Sequence, residues 1–155
     1  MKTLAVLLAL CTVALAQQSP LIFPGGHGPG RGKRVVLIAG DQEYRSEESV
    51  PALAQILAAR HGFHCTVLFS VNPQTGRPDP NTIDNVPGLE ALRRADLLIL
   101  FARWLELPDP QMKEIVDYTN SGRPIDRYRS KASTALRPSG TILSLSPLPL
   151  TCARP

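Results

Sequence analysis

The sequence predicts an α/β fold with a parallel, doubly wound sheet of three to four strands. Short apolar runs, of the kind that is buried on both faces of a sheet, alternate along the chain with segments of helical periodicity. This alternation is typical of parallel strands joined by helical crossovers, which are right-handed in proteins. With 155 residues, the chain is expected to form one domain.

Residues 1–16 are predicted to be a secretory signal peptide. Lys2 supplies a positive start, residues 4–14 are apolar, and residues 14–16 have the A-x-A pattern of a cleavage site. The apolar run is too short to span a bilayer, so we expect no stable membrane insertion after cleavage. The sequence therefore indicates a secreted or periplasmic protein. A lipid-modified Cys11 is the alternative, and the bulky residue before it argues against that modification.

The segment 17–33 is predicted to be a flexible linker, because "PGGHGPGRG" is too rich in glycine and proline for a helix or a strand interior. The first strand follows at 34–39, and Gly40 ends it. The next helix is expected to be capped by Ser49 and to end at Gly62. Four apolar residues at helical spacing predict its buried face, and they are Val50, Leu53, Ala54 and Leu57.

The second and third strands are predicted at 65–69 and 95–102, which are mostly apolar. The segment 72–85 between them is rich in turn residues and is expected to be a loop. A short helix follows this loop, with Leu89 and Leu92 on its buried face.

A second long helix is predicted after the third strand. Asp109 is expected to cap it, and Pro110 suits its first position. Its predicted apolar stripe consists of Met112, Ile115 and Val116. Gly122 ends this helix, and residues 123–125 are expected to begin a fourth strand.

The net charge of +4 belongs to the end of the sequence rather than to the predicted domain. Residues 17–125 carry 11 basic and 12 acidic side chains, whereas residues 126–155 carry five basic side chains and one acidic side chain. A nearly neutral domain gives no support for nucleic-acid binding, so no nucleic-acid partner is predicted.

Two cysteines remain after signal cleavage. A free, buried Cys65 is the simpler interpretation, and a disulfide with Cys152 is the alternative in an oxidising compartment. Neither the cysteines nor the three histidines have the spacing of metal ligands, so no metal ion and no cofactor is predicted.

The charged segment "GDQEYRSEE", residues 40–48, lies between the first strand and the first helix. Ligands of parallel sheets bind beyond the carboxyl ends of the strands, which is where this segment and the end of the third strand lie. There, carboxylates can accept hydroxyl groups or act as acid and base, arginines can hold an anion, and aromatic rings can stack on a sugar or a base. The predicted ligand-binding residues are Gly40, Asp41, Glu43, Tyr44, Arg45, Arg103 and Trp104.

A structural role is the alternative for part of this segment. Glu47 and Glu48 lie near a helix start, where the helix dipole favours carboxylates. Asp41 has a side chain that can hold a turn. The segment lacks the glycines of a phosphate-binding loop, and the sequence contains no G-x-S-x-G motif, so no catalytic residue is identified.

Two stretches of the sequence resemble the ThuA-like family of the trehalose-utilisation type, and more narrowly its secreted members in bacteria that degrade complex carbohydrates. The resemblance covers residues 34–125 and is most specific at "GDQEYRSEE" and at "LPDPQMKEIVDYTNSGRPI". It implies a flavodoxin-like fold related to class I glutamine amidotransferases, without a dependable catalytic cysteine, and a role in sugar utilisation. It also implies that the pocket-side loops carry Gly40, Asp41, Glu43, Tyr44, Arg45 and Arg103.

The composition changes where the resemblance stops. Residues 126–155 contain four prolines and no helical stripe, so we expect a disordered tail that does not continue the sheet. A shifted reading frame after residue 125 explains this change, because one choice of codons with one nucleotide removed restores "RPIIGIEA", a buried strand followed by a polar loop. A lineage-specific basic arm is the alternative.

The sequence thus predicts a secreted ThuA-like protein related to the utilisation of a disaccharide or a keto-sugar. The product is expected to be truncated or frameshifted and therefore destabilised or inactive. A non-catalytic module that binds a glycan or the cell envelope is the alternative, and the expected partner in both cases is a small carbohydrate. Product formation by a full-length parent would distinguish the first function from simple binding.

Overall fold

The computed structural model describes residues 20–127 and the backbone of Ala135–Leu136. Its elements are β1 (Leu21–Phe23), β2 (Arg34–Gly40), α1 (Ser46–His61), β3 (His64–Phe69), a 3₁₀ helix (Leu89–Arg94), β4 (Leu97–Ala102), β5 (Trp104–Leu105), α2 (Asp109–Asn120), β6 (Ile125–Arg127) and β7 (Ala135–Leu136). The predicted signal peptide, most of the predicted tail and Cys152 lie outside the described residues.

Five strands form the main sheet, in the order β1-β3-β2-β4-β6. Strand β2 pairs in parallel with β3 and β4, β4 pairs in parallel with β6, and β1 runs antiparallel to β3. The predicted α/β fold is confirmed, and the four predicted strands are present as β2, β3, β4 and β6. The sheet is nevertheless mixed, and it has one strand more than the sequence predicts.

The extra strand comes from the segment that was predicted to be a flexible linker. Strand β1 pairs along its length with β3, for example Phe23 with Cys65. The glycine-rich turn after β1 then packs on the end of α1, where the amide of Gly30 donates to the carbonyl of His61 at 2.8 Å. The linker prediction was therefore wrong for residues 20–33, because glycine here permits close backbone packing instead of flexibility.

Helix α1 begins at Ser46, about one turn before the predicted cap at Ser49. Arg45 occupies the N-cap position in the left-handed conformation, with φ 49° and ψ 49°. The Ser49 hydroxyl donates to the carbonyl of Arg45 at 3.2 Å, so Ser49 does not cap the helix. Gly62 ends α1 as predicted, with φ 77°.

The buried face of α1 differs from the predicted one. Its buried residues are Ser46, Val50, Ala54 and Ala58. Leu53 was predicted to be buried but is 39% exposed, and Leu57 is only half-buried. The row that faces the sheet thus consists of small or medium-sized side chains at every fourth position of α1. Leu53 and Leu57 lie beside this row and are less buried.

Helices cover both faces of the sheet. On one face, α1 packs over a core of Val35, Leu37, Ala39, Val50, Ala54, Ala58, Cys65, Val67 and Phe101. On the other face, the 3₁₀ helix and α2 pack over a core that includes Val36, Ile38, Leu68, Leu98 and Leu100. The short predicted helix is thus present as a 3₁₀ helix, and both Leu89 and Leu92 are buried as expected.

Cys65 is a free thiol at the centre of the α1 face and is fully buried. This confirms the simpler of the two interpretations of its role. Burial in the apolar core raises the pKa of the Cys65 thiol to about 11, because the thiolate would lose its hydration there.

Helix α2 begins at Asp109, and Pro108 rather than Asp109 occupies the N-cap position. Its buried residues are Met112, Ile115 and Tyr118. Val116, the third residue of the predicted stripe, is only half-buried. Tyr118 replaces it, because its hydroxyl donates to the carbonyl of Pro124 at 2.9 Å and is therefore satisfied within the protein.

The main sheet continues beyond the predicted boundary at residue 125. Asp126 and Arg127 belong to β6 and pair with Ile99 and Leu100 of β4. The backbone of Ala135–Leu136 forms β7, which pairs in parallel with β5 in a separate two-stranded sheet. The prediction that the tail does not continue the sheet was therefore wrong for Asp126 and Arg127, and the prediction that it is disordered was wrong for the backbone of Ala135–Leu136. The remainder of the predicted tail lies outside the described residues.

Candidate ligand-binding site at the carboxyl ends of the strands

The two predicted site segments begin side by side at the carboxyl edge of the sheet. Strand β2 ends at Gly40 and strand β4 ends at Ala102, and these two residues are paired in the parallel ladder. The loop after β2 and the short segment Arg103–Trp104 after β4 therefore leave the sheet next to each other. The structure thus brings together residues that are about 60 positions apart in the sequence.

Ser70, which follows β3, is a third strand-end residue at this edge. A Cβ atom at Gly40 would lie 2.9 Å from the Ser70 hydroxyl oxygen, so a side chain at Gly40 would displace it. Ser70 is 1% exposed, and its hydroxyl has no hydrogen-bond partner among the described residues. Ser70 was not among the predicted site residues, although its position directly after the second predicted strand was a usable signal.

Asp41 holds the turn between β2 and α1. It is 1% exposed, and its carboxylate accepts hydrogen bonds from the amides of Glu43 and Tyr44, both at 2.9 Å. Its own amide donates to the Ser46 hydroxyl at 2.9 Å, and that hydroxyl donates back to the Asp41 carbonyl at 3.1 Å. This geometry is that of the turn-holding alternative, and it commits the carboxylate to the backbone.

Glu43 and Arg103 form an ion pair that joins the two loops. The Arg103 guanidinium donates to a Glu43 carboxylate oxygen. The side chains of Arg103 and Glu43 are 36% and 50% exposed, so solvent and a ligand can reach both. An ion pair at this exposure contributes about 0–1 kcal/mol to folding. Its polar groups are therefore available for recognition at little expense of stability.

The other predicted site residues have different surroundings. Arg45 forms an ion pair with Glu48 in the first turn of α1, which directs its charge to the helix start. Tyr44 is 50% exposed beside it. The Trp104 indole nitrogen donates to a Glu106 carboxylate oxygen at 2.9 Å, and this bond fixes the ring at the end of β4.

The backbone of Arg45 is strained. A left-handed conformation at a residue with a Cβ atom costs about 1–2 kcal/mol, and such residues cluster at ligand sites. Arg45 is the one non-glycine residue with positive φ among the described residues. The strain lies directly between the turn held by Asp41 and the start of α1.

The two glutamates that were interpreted as structural differ from each other. Glu48 pairs with Arg45, as expected for a carboxylate in the first turn of a helix. Glu47 has one carboxylate oxygen that is buried and has no hydrogen-bond partner within residues 20–127. No three His, Cys, Asp or Glu side chains of these residues are grouped so that they could hold a metal ion.

No protein-family model, no curated protein and no solved structure matches this chain. None of the helices in the described part of the chain is both long and apolar enough to cross a membrane.

Proposed function

We propose that residues 34–125 are the first part of a ThuA-like α/β domain and that the carboxyl edge of their sheet binds a small carbohydrate. Two features support the family. One is the resemblance at "GDQEYRSEE" and at "LPDPQMKEIVDYTNSGRPI". The other is the order of the four parallel strands, which by their sequence in the chain run second, first, third, fourth, as in the first four strands of a flavodoxin-like sheet.

The ion pair between Glu43 and Arg103 is the observation that carries the proposed site. It lies between β2 and β4, whose following helices α1 and α2 cover opposite faces of the sheet and lead to strands on opposite sides, and ligands of open α/β sheets bind at such a position. A carboxylate and a guanidinium together offer acceptors and donors for neighbouring sugar hydroxyls. Tyr44 and Trp104 supply aromatic rings at the same edge, which suits the apolar face of a sugar.

A non-catalytic binding module is the second candidate function, and the state of Asp41 favours it. An acid or base must release or accept a proton during a reaction, whereas the Asp41 carboxylate is buried and accepts two backbone hydrogen bonds. Glu43 is already paired with an arginine. Binding without turnover needs no proton transfer by Asp41 or Glu43, so we propose binding rather than catalysis for this chain.

We also propose that the reading frame of the coding sequence shifts after residue 125. The support is the change of composition at that point, where basic residues and prolines replace the mixed pattern of the domain. We further propose export, supported by the pattern of residues 1–16. Resequencing of the codons for residues 124–130 tests the first proposal, and amino-terminal sequencing of the exported protein, expected to start at Gln17, tests the second.

Titration of the full chain with trehalose tests the proposed site. In wild type we expect saturable heat of binding without any product detectable by NMR. Glu43→Gln and Arg103→Met should each weaken binding about tenfold, because each removes hydrogen bonds to a charged group worth about 1.5–3 kcal/mol. The matched control is Arg93→Met, which breaks the ion pair between Arg93 of the 3₁₀ helix and Glu114 of α2 and leaves the carboxyl edge of the sheet unchanged.

The urea midpoint of each variant separates binding from folding. The site variants should unfold at nearly the same urea concentration as wild type, since an exposed ion pair contributes little. Equal trehalose binding by wild type, Glu43→Gln and Arg103→Met would contradict the proposed site. Conversion of trehalose to a product by the purified chain would contradict the binding-only function and favour an enzyme.

A further inference from the structure

A second concave surface lies at the opposite edge of the sheet, where the strands begin. We call it the amino-edge cleft. It is a cavity of about 520 Å³ lined by Pro24, Gly25, Gly26, Arg31, Gly32, Arg34, Val36, Gly62, His64, Thr66, Ala91 and Arg94. This volume lies within the range of about 300–1,000 Å³ that is typical of sites for small molecules.

The cleft lies where the helical part of the crossover from β3 to β4 is too short to cover the whole sheet. The helical part of that crossover is the six-residue 3₁₀ helix, which packs over the side of the sheet formed by β2 and β4. His64 and Thr66 of β3 stay half-buried on the same face, and Ile22 of β1 is 51% exposed. These residues leave an open floor beside the 3₁₀ helix.

The side chains around the cleft are basic. Arg31, Arg34 and Arg94 line it together with His64, and no acidic residue does. Arg31 and Arg94 have no ion pair and no side-chain hydrogen bond among the described residues. The pKa of the nearby Asp96 is lowered mainly by the hydrogen bond from the Arg34 amide at 2.8 Å, and less by the charges of Lys33 and Arg34.

The rest of the chain cannot supply the missing negative side chains. All 13 aspartate and glutamate residues of the sequence lie within residues 41–126, which the structure describes. Residues 1–19 and 128–155 contain no acidic side chain, and they add five basic ones. Asp96 is already shared with Lys33, whose ammonium group lies 3.4 Å from its carboxylate. Within residues 20–127 no carboxylate pairs with Arg31 or Arg94, so both guanidinium groups are open to an anion from solution.

The backbone around the cleft is open on one side and fixed on the other. A Cβ atom at Gly26 or Gly32 would meet no atom within 4 Å, so these glycines border open space and let a ligand approach the main chain. At Gly25, in contrast, a Cβ atom would lie 2.7 Å from the carbonyl carbon of Phe63. The wall that carries Arg31 is thus packed against the end of α1 and is held in place.

We propose that the amino-edge cleft binds a small organic anion that carries at least two phosphate or carboxylate groups. The guanidinium fork of arginine matches both groups with paired hydrogen bonds, and two arginines without a partner suit a ligand with two anionic ends. This site is separate from the carbohydrate site proposed at the carboxyl edge. It needs neither the ion pair between Glu43 and Arg103 nor the proposed family.

Calorimetric titration of the full chain with pyrophosphate, and separately with citrate, tests the proposal at low ionic strength. Arg94→Gln removes one positive charge from the cleft, and Gly26→Asp adds one negative charge to it. The second change adds no clash and no left-handed strain, because Gly26 faces open space and has no positive φ. Each variant should weaken binding about tenfold or more, which corresponds to about 1.4 kcal/mol.

Arg77→Gln is the matched control, because it changes the net charge equally but lies in the exposed loop 72–85, away from the cleft. Its affinity should stay within about twofold of wild type. Binding of pyrophosphate alone would identify a phosphate ligand, and binding of citrate alone a carboxylate ligand. Absence of saturable binding of both anions to wild type would overturn the proposal. An equal loss of affinity in Arg77→Gln would also overturn it, since only net charge would then matter.

Discussion

The replacement Gly25→Ala tests whether the glycine-rich segment after β1 is packed, as the structure has it, or free, as its composition suggested. The added methyl group would lie 2.7 Å from the carbonyl carbon of Phe63 and 2.9 Å from the amide nitrogen of His64. Both distances are well inside the 3.5–4.0 Å or so of ordinary contact. The atoms it meets belong to the backbone that starts β3, so they cannot turn away as the end of a flexible side chain would.

The size of the effect follows from that geometry. Overpacking of this kind costs about 1–3 kcal/mol. With a urea dependence of about 2 kcal/mol per molar, a loss of about 2 kcal/mol lowers the unfolding midpoint by about 1 M. Gly25 does not have positive φ, so the steric clash alone accounts for the expected loss.

The neighbouring residue provides the control. A methyl group at Gly26 would meet nothing within 4 Å, and Gly26 also lacks positive φ. We therefore expect Gly26→Ala to change the free energy of unfolding by no more than about 0.5 kcal/mol. Urea unfolding of the full chain, followed by circular dichroism, measures both variants. Equal midpoints for Gly25→Ala and Gly26→Ala would show that the segment does not pack on the turn 62–64.

Two further predictions concern buried polar groups. Asp41→Ala should lower the free energy of unfolding by about 1–3 kcal/mol, because two backbone amides lose their acceptor. Asp41→Asn keeps an acceptor oxygen, so it should lower this free energy by less. Identical urea midpoints for the two variants would contradict the turn-holding role. The raised pKa of Cys65 stabilises the folded state below the ordinary pKa of 9.0, and this contribution should be lost as pH rises towards 11. The difference in unfolding free energy between wild type and Cys65→Ala should therefore shrink from pH 8 to pH 10.5, and a constant difference would refute the assignment.

The buried strands could be predicted from the sequence because their signal is local. Each of β2, β3 and β4 is a short, mostly apolar run that ends at a glycine or is followed by a polar residue. Strand β1 has no such signal, since its three residues lie among prolines and glycines and become a strand by pairing with β3. This pairing depends on tertiary structure, and the periodicity of the sequence does not predict it.

The site was predictable in its location but not in its contacts. The rule that ligands bind beyond the carboxyl ends of parallel strands was sufficient to select the loop after β2 and the end of β4. The roles of Asp41 and Arg45 depend on backbone geometry, namely a side-chain turn and a left-handed residue. The burial of Ser70 depends on its contact with Gly40 in the adjacent strand. The sequence offered the turn-holding role of Asp41 as an alternative and placed Ser70 directly after a predicted strand, whereas no pattern of residue types reveals the left-handed backbone of Arg45.

The short outer strands of the main sheet have a consequence for self-association. An exposed strand edge is a template on which another chain can add a strand, and the risk grows with the length of the edge. Here the outer strand β1 has three residues, and the described part of the other outer strand, β6, also has three. Pro20 and Pro24 flank β1 and have no amide hydrogen to offer, and β6 carries the charged residues Asp126 and Arg127. The edge at β1 is thus short and bounded by prolines, and the described part of the edge at β6 is charged, so both features disfavour the addition of a strand from another chain.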